Sequence, residues 1–370
     1  MRSLNSDGKV TAASAVILLA LSLTAGFPRC NAGPLSMARQ LAGATVAKAS
    51  RAATAGLSPA VYTVSYTATG AYRSVQAAVN AVPANNKRPA IIHIDPGSYS
   101  GLVVIPADKP YITLQGTNAR NTVLTDNLPV RDAGKNGLPH EFMNTATLCI
   151  YASNTTLDHI TIQNAYVQKS NANGNQALAV TVGGDKLVVD HCRILAFQDT
   201  LYFSHPDPRA YFSHCLITGA VDYIYGFGTG LFDHCTIRNV NKGHWGSITA
   251  PSTPQNQRFG FVFMHCRLTS LKSTPAGSVY LGRPWRPYGS TIFIDCYMGK
   301  QIRPVGWSDW KKPKLRKTAR FAEYNSRGPG ANVKSRALWS RQLTKTQAQT
   351  ITAETVLGPG NWWHRPMNGK

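Results

Sequence analysis

The chain has 370 residues and a formal charge of +22, from 39 Lys and Arg against 17 Asp and Glu. With 43% apolar and 15% charged residues it is not a disordered polar chain, and seven Cys over this length are too sparse for a small disulfide scaffold. The excess of base favours an acidic partner, whether nucleic acid, an anionic membrane or a polyanionic polysaccharide, and 31 Gly with 22 Pro favour many turns over long helices.

The chain begins with Arg2 and Lys9 around an apolar stretch from Val10 to Ala25, followed by small residues up to Ala32. This pattern reads as a secretory signal peptide over 1–32, cleaved between Ala25 and Ala32. The competing reading, a membrane anchor, falls short of the roughly 20 apolar residues a span needs. Export to an extracellular or cell-envelope location argues against nucleic acid as the target, against stable membrane insertion, and permits disulfides. An Ala-rich linker follows over 33–60, and the rest, 61–370, reads as a single domain.

Val75, Ala78, Val79 and Val82 fall at helical spacing behind the capping residue Ser74, and Pro83 ends the run. From there the pattern is β. Ala90–Ile94 precedes the turn Asp95-Pro96-Gly97, and Tyr111–Leu114 precedes Gly116.

The middle of the chain repeats itself. Asp190-His191-Cys192-Arg193-Ile194 recurs around Cys215, Cys235, Cys266 and Cys296, and Ile160 holds the Cys position in an earlier copy. The periods are 32, 23, 20, 31 and 30 residues. One short strand motif per 20–50 residues indicates a solenoid, here a parallel β-helix with long excursions. Adjacent side chains on a strand point to opposite faces. Cys therefore reads as an inward ladder and His as an outward or flank ladder, and no metal is expected, since neither a CxxC nor an HExxH motif is present.

Acidic residues are scarce, so two of them stand out. Asp199 and Asp222 lie 23 residues apart, as do Gln176 and Asp199, and Cys192 and Cys215. If 23 residues make one coil, Gln176, Asp199 and Asp222 lie in a row on neighbouring rungs about 4.8 Å apart. Two carboxyls that close do not both ionise cheaply, so one keeps its proton and a cation can hold the other charged. Amides beside them can serve an oxyanion. The alternative is that both Asp are turn residues capping strand ends. The same register places Cys192 and Cys215 within disulfide reach, and a bond between them is expected.

At this point the motifs form a set. Gln198-Asp199-Thr200-Leu201-Tyr202, Asp222-Tyr223-Ile224-Tyr225-Gly226 and Leu281-Gly282-Arg283-Pro284-Trp285 resemble three signature segments of the pectin methylesterases, the pectinesterase family of carbohydrate esterases. Gln176–Val180, Pro96–Tyr99, Gly306–Trp310 and Glu323–Gly330 resemble further segments in the same order, from about Tyr62 to Trp363. The resemblance implies an all-β fold, a right-handed parallel β-helix with an N-terminal capping helix and long loops forming a cleft. It implies hydrolysis of galacturonate methyl esters without a cofactor. By position, Asp222 resembles the nucleophile and Asp199 the general acid and later base. Gln198 and Gln176 resemble the oxyanion donors, and Arg283 resembles the partner of Asp222. Substrate contacts are expected from Gln176, Arg283, Trp285 and Phe203; the alternative for Tyr202, Phe203, Tyr225 and Trp285 is packing under the loops as core.

Departures from the family pattern at Ser100-Gly101, Ala196, Tyr223, Tyr225 and Thr249–Thr253 remove no catalytic group. The basic run Lys311–Lys317 with Arg320 is either a solvated loop or a dock for anionic pectin. The expectation is a secreted, monomeric pectin methylesterase acting on pectin. The alternatives are a relative that hydrolyses another ester or a thioester, and a non-catalytic polysaccharide-binding β-helix.

Overall fold

A computed structural model describes residues 58–132, 145–166, 176–241 and 245–364. The expected signal peptide, and all but the last residues of the expected linker, lie outside the described residues. Among the described residues the strands form three sheets of eleven, seven and eight strands, and every pairing between successive strands is parallel. The chain visits the three sheets in turn and climbs one rung per circuit, which makes a parallel β-helix. Leu187–Asp190, Arg193–Leu195 and Leu201–Phe203 form one such circuit, and Arg209–Ser213, Leu216–Gly219 and Val221–Gly226 form the next.

A single residue turns the corner between the eleven- and eight-stranded sheets. It is His159, His191, His214, His234, His265, Asp295 and Asn325 in successive coils, with φ between 47° and 54°. Asn, Asp and His tolerate this left-handed region better than most side chains, so the corner explains why the repeat carries polar residues there. The following residue turns inward. Cys192, Cys215, Cys235, Cys266 and Cys296 are all buried, while the histidines stay at the surface, as alternation requires.

Inside the coils, like stacks on like. Phe212, Phe232, Phe263 and Phe293 form a column with ring centroids 4.5–4.6 Å apart. The spacing is the rung spacing, so in-register parallel pairing itself delivers the stacking, worth about 0.5–1.5 kcal/mol per pair beyond burial. Helix Val75–Ala81 is capped by Ser74, whose hydroxyl accepts from the Ala77 amide, and packs its buried Val75, Ala78 and Val79 against the first strands. At the other end two short helices, Lys345–Gln349 and Ala353–Leu357, each start with a capping box, and Val356 and Leu357 cluster with Leu231, Val262 and Ile292 on the outer face of the eleven-stranded sheet.

The expected Cys192–Cys215 disulfide is corrected by the structure: both thiols are free and buried. Strict register keeps the two Cβ atoms near the rung spacing of about 4.8 Å, outside the 3.5–4.5 Å range a disulfide uses, with parallel rather than converging bonds. The Cys215 thiol instead donates to the carbonyls of Val189 and Ser213, at 3.4 and 3.2 Å.

Candidate active site

The seven-stranded sheet carries the clustered acids. Gln198 bridges to Val221, and Leu201 pairs with Ile224, so the 23-residue register holds and Asp199 lies beside Asp222 on the next rung. Gln176 does not keep that row. The Ala177 amide donates to the Gln198 carbonyl, which sets Ala177 opposite Asp199 and Gln176 opposite Gln198. The shift of one residue brings the two amide side chains level with each other rather than in line with the acids. The Gln176 side-chain oxygen is buried without a hydrogen-bond partner.

Asp222 sits in a break of the pattern. Val221 pairs with Ser247 but Ile224 with Thr249, so Val221–Gly226 carries one extra residue between them. A β-bulge of this kind re-aims a side chain. Asp222 has φ 50° and Asp199 φ 61°, both in the left-handed region. Gly226 ends the bulged strand at φ 110°, and a Cβ there would overlap the Phe203 carbonyl.

Both carboxyls are enclosed, with 9% of Asp199 and 6% of Asp222 exposed. Burial pushes the Asp199 carboxyl well above the usual range, and the neighbouring Asp222 charge adds to the rise. Arg283 and the Gln198 amide offset part of it. Burial raises Asp222 as well, but Arg283 opposes this directly, helped by the Ser247 hydroxyl. The Arg283 guanidinium donates from Nε to Asp222 Oδ1 at 2.8 Å and from Nη2 to Oδ2. That two-pronged contact belongs to Asp222 alone, so Asp199 takes the proton that the pair cannot shed.

The guanidinium is itself held by two indoles missed in the sequence reading. Its carbon lies 3.5 Å from the Trp310 ring centroid and 4.8 Å from that of Trp245. Trp310 stood in the quoted Gly306–Trp310 segment without a role. Trp245 had no signal beyond being an aromatic next to a strand, and it is 47% exposed. Trp285 is tilted against Tyr225 and Phe227, each with centroids 5.9 Å away. Tyr202 stacks on Tyr225 at 4.6 Å, and the two cluster with Trp285.

Phe203 is a correction. It was expected at the substrate cleft but is fully buried, 5.2 Å from Phe261 between ring centroids. Tyr202 and Phe203 are adjacent on one strand, so when Tyr202 joins the outer cluster Phe203 points into the coil. The basic run divides too. Lys311–Lys317 forms an exposed loop and 3-10 turn, with Lys312 Nζ 5.5 Å from the Trp310 ring centroid. Arg320 is structural, because it donates to the carbonyls of Tyr288, Gln257 and Pro254. Glu323 is likewise taken up in a buried ion pair with Arg336 and a bond from the Trp307 indole.

Among the described residues no helix is long and apolar enough to cross a membrane. A pectinesterase family model matches residues 61–360. Pectinesterase 31 of Arabidopsis thaliana is 33% identical over 302 residues, covering 80% of this chain and 92% of its own. The pectin methylesterase from carrot superposes with a TM-score of 0.72 at 30% identity, covering 82% of this chain and 94% of its own. A pectin methylesterase solved in complex with a hexasaccharide superposes with a TM-score of 0.70 at 30% identity, covering 81% and 96%.

Proposed function

Because the chain belongs to the pectinesterase family and is a carboxylic ester hydrolase, we propose that it removes methyl groups from polygalacturonate with Asp222 as nucleophile and Asp199 as general acid and base. The observation that carries this reading is the asymmetry of the pair: one Arg283, bound at both oxygens of Asp222 only.

The ionised Asp222 attacks the ester carbonyl carbon. The oxyanion that forms accepts from the Gln198 and Gln176 amides. An amide nitrogen has two N–H groups, so Gln198 can keep its bond to Asp199 and still donate to the oxyanion. The C–O bond to the methyl oxygen then breaks. Asp199 supplies the proton, and methanol leaves. The product is an anhydride between Asp222 and the galacturonate carboxyl. Asp199, now a carboxylate, takes a proton from water as that water attacks the galacturonate carbonyl. The C–O bond to Asp222 breaks, Asp222 leaves as a carboxylate held by Arg283, and Asp199 ends protonated as it began.

Trp285 and Trp245 offer flat apolar surfaces for pyranose faces. The chain charge of +22 draws the polymer in, and Lys312 of the basic run lies beside Trp310. The apolar segment near the N-terminus supports export of the enzyme to where pectin is found.

Methanol release from highly methylated pectin tests the reading. Asp222→Asn should lower that release by several orders of magnitude, since a nucleophile has no substitute. Asn tolerates φ near 50°, so circular dichroism and polygalacturonate binding should be unchanged. Turnover near wild type would remove Asp222 from the mechanism.

A further inference from the structure

The alternation of side chains along a strand excludes a site that shares His and Cys of one repeat. It does not exclude a site made by histidines of neighbouring coils. His159, His191, His214, His234 and His265 stack along the corner with centroids 4.9, 4.9, 5.4 and 4.7 Å apart. The first two pairs are parallel within 4°, but His234 and His265 are tilted by 27°. The tilted pair converges on one atom. Asp233 Oδ1 lies 2.9 Å from His234 Nδ1 and 3.0 Å from His265 Nδ1. All three atoms lie within 4.8 Å of one another. The other Asp233 oxygen accepts from the Tyr211 hydroxyl at 3.3 Å, which orients the carboxylate.

We propose that Asp233, His234 and His265 bind a borderline divalent cation of the zinc type, with water completing the coordination. Two imidazole nitrogens and one carboxylate oxygen suit zinc and not calcium or magnesium, which take all-oxygen shells. Metal–ligand distances of about 2.0–2.1 Å in a tetrahedron put the donors roughly 3.3 Å apart, so the two edges from Asp233 Oδ1 to the imidazoles need to open by only a few tenths of an ångström. Both side chains are about half exposed, which lets the ion enter and water move each ring proton from Nδ1 to Nε2. Tyr211 is the outer partner that holds the carboxylate, a role such groups play at metal sites. Asp190, His191 and His214 also gather donor atoms. There the rings stay parallel, Asp190 pairs with the His191 imidazole, and His214 Nδ1 is taken up by Ser213 Oγ at 2.8 Å. The site lies on the eleven-stranded sheet, away from the acids of the seven-stranded sheet, and does not depend on the esterase reading. A bound ion would clip together the coils of His234 and His265.

The test is calorimetric titration of the intact protein with zinc chloride in a non-coordinating buffer, alongside the double variant His234→Asn, His265→Asn. Asn suits the left-handed corner, and an unchanged circular dichroism spectrum would certify the fold of the variant. The wild type should take up one equivalent of zinc more than the double variant and gain melting temperature with zinc where the variant does not. Tyr211→Phe should weaken that equivalent by about tenfold or more. Equal zinc uptake by wild type and double variant, whether none or the same number, would overturn the proposal and leave Asp233 as an acceptor of two imidazole N–H bonds.

Discussion

Two stretches of the same coils obey opposite rules. From Leu187 through Cys192 to Leu195, and again one coil later, each residue stands above its counterpart without slippage, and the column of Cys and Phe side chains follows from that register. The rungs of Gln198–Phe203 and Val221–Gly226 keep register with each other but slip against the rungs on either side. Gln176 falls level with Gln198, the strand at Asp222 bulges, and two aspartates occupy left-handed backbone. Repetition brings identical groups together, and for apolar groups this is stabilising. For carboxylates it is not, so the acid pair needs burial, a proton and an arginine to exist. Stability comes from the stretch that repeats, and chemistry from the stretch that departs.

That contrast can be broken from either side. The largest effect after loss of Asp222 should come from Asp199→Asn. Methanol would leave without its proton donor, and release from methylated pectin should fall by roughly 10²–10⁴. A smaller fall would move the proton to another group. On the repeating side, Phe232→Ala empties a ring from the middle of the column and should destabilise by about 3–5 kcal/mol. Thermal or urea unfolding would register it, while turnover well below the melting temperature should be retained. Lost turnover with intact folding would mean that the column also shapes the site.

Arg283→Lys sharpens the comparison through pH. In the proposed mechanism Asp222 must be ionised to attack, so activity rises as pH climbs through the Asp222 pKa. Asp199 must be protonated to release methanol, so activity falls as pH climbs through the Asp199 pKa. The Arg283 contact lowers Asp222 against the burial that raises it. Losing the two-pronged contact should therefore move the acidic limb of the kcat/KM profile to higher pH. An acidic limb that stays in place would assign it to some other group. The smallest expected effect is none at all. Dithiothreitol should not change the melting temperature, because Cys192 and Cys215 share no bond. A clear drop would restore the disulfide.

Most of the architecture was legible because it repeats. A recurring His-Cys strand motif gives rung period and inward face directly, and the capped helix at Val75–Ala81 follows from local spacing. Asp199, Asp222 and Arg283 were legible as motif residues, and the first two also as a 23-residue pair that the register keeps. Phe203 was misplaced because an aromatic pair on one strand does not say which member faces out. The disulfide was misjudged because equal rung position sets Cα atoms near each other without turning the Cβ bonds together. Trp245 and Trp310 were missed because they meet Arg283 from segments 38 residues before it and 27 after it.

The sequence by itself determined what local pattern can encode: the coil, its inward and outward faces, and the pairing of two aspartates one rung apart. The tertiary structure decided what depends on atoms brought together across coils. It chose which of two like carboxyls has the arginine and which keeps the proton. It also set where a bulge re-aims a strand, and which pair of stacked imidazoles tilts toward a shared oxygen. Those outcomes turn on shifts of one residue or a few tenths of an ångström between distant segments, and no spacing along the chain records them.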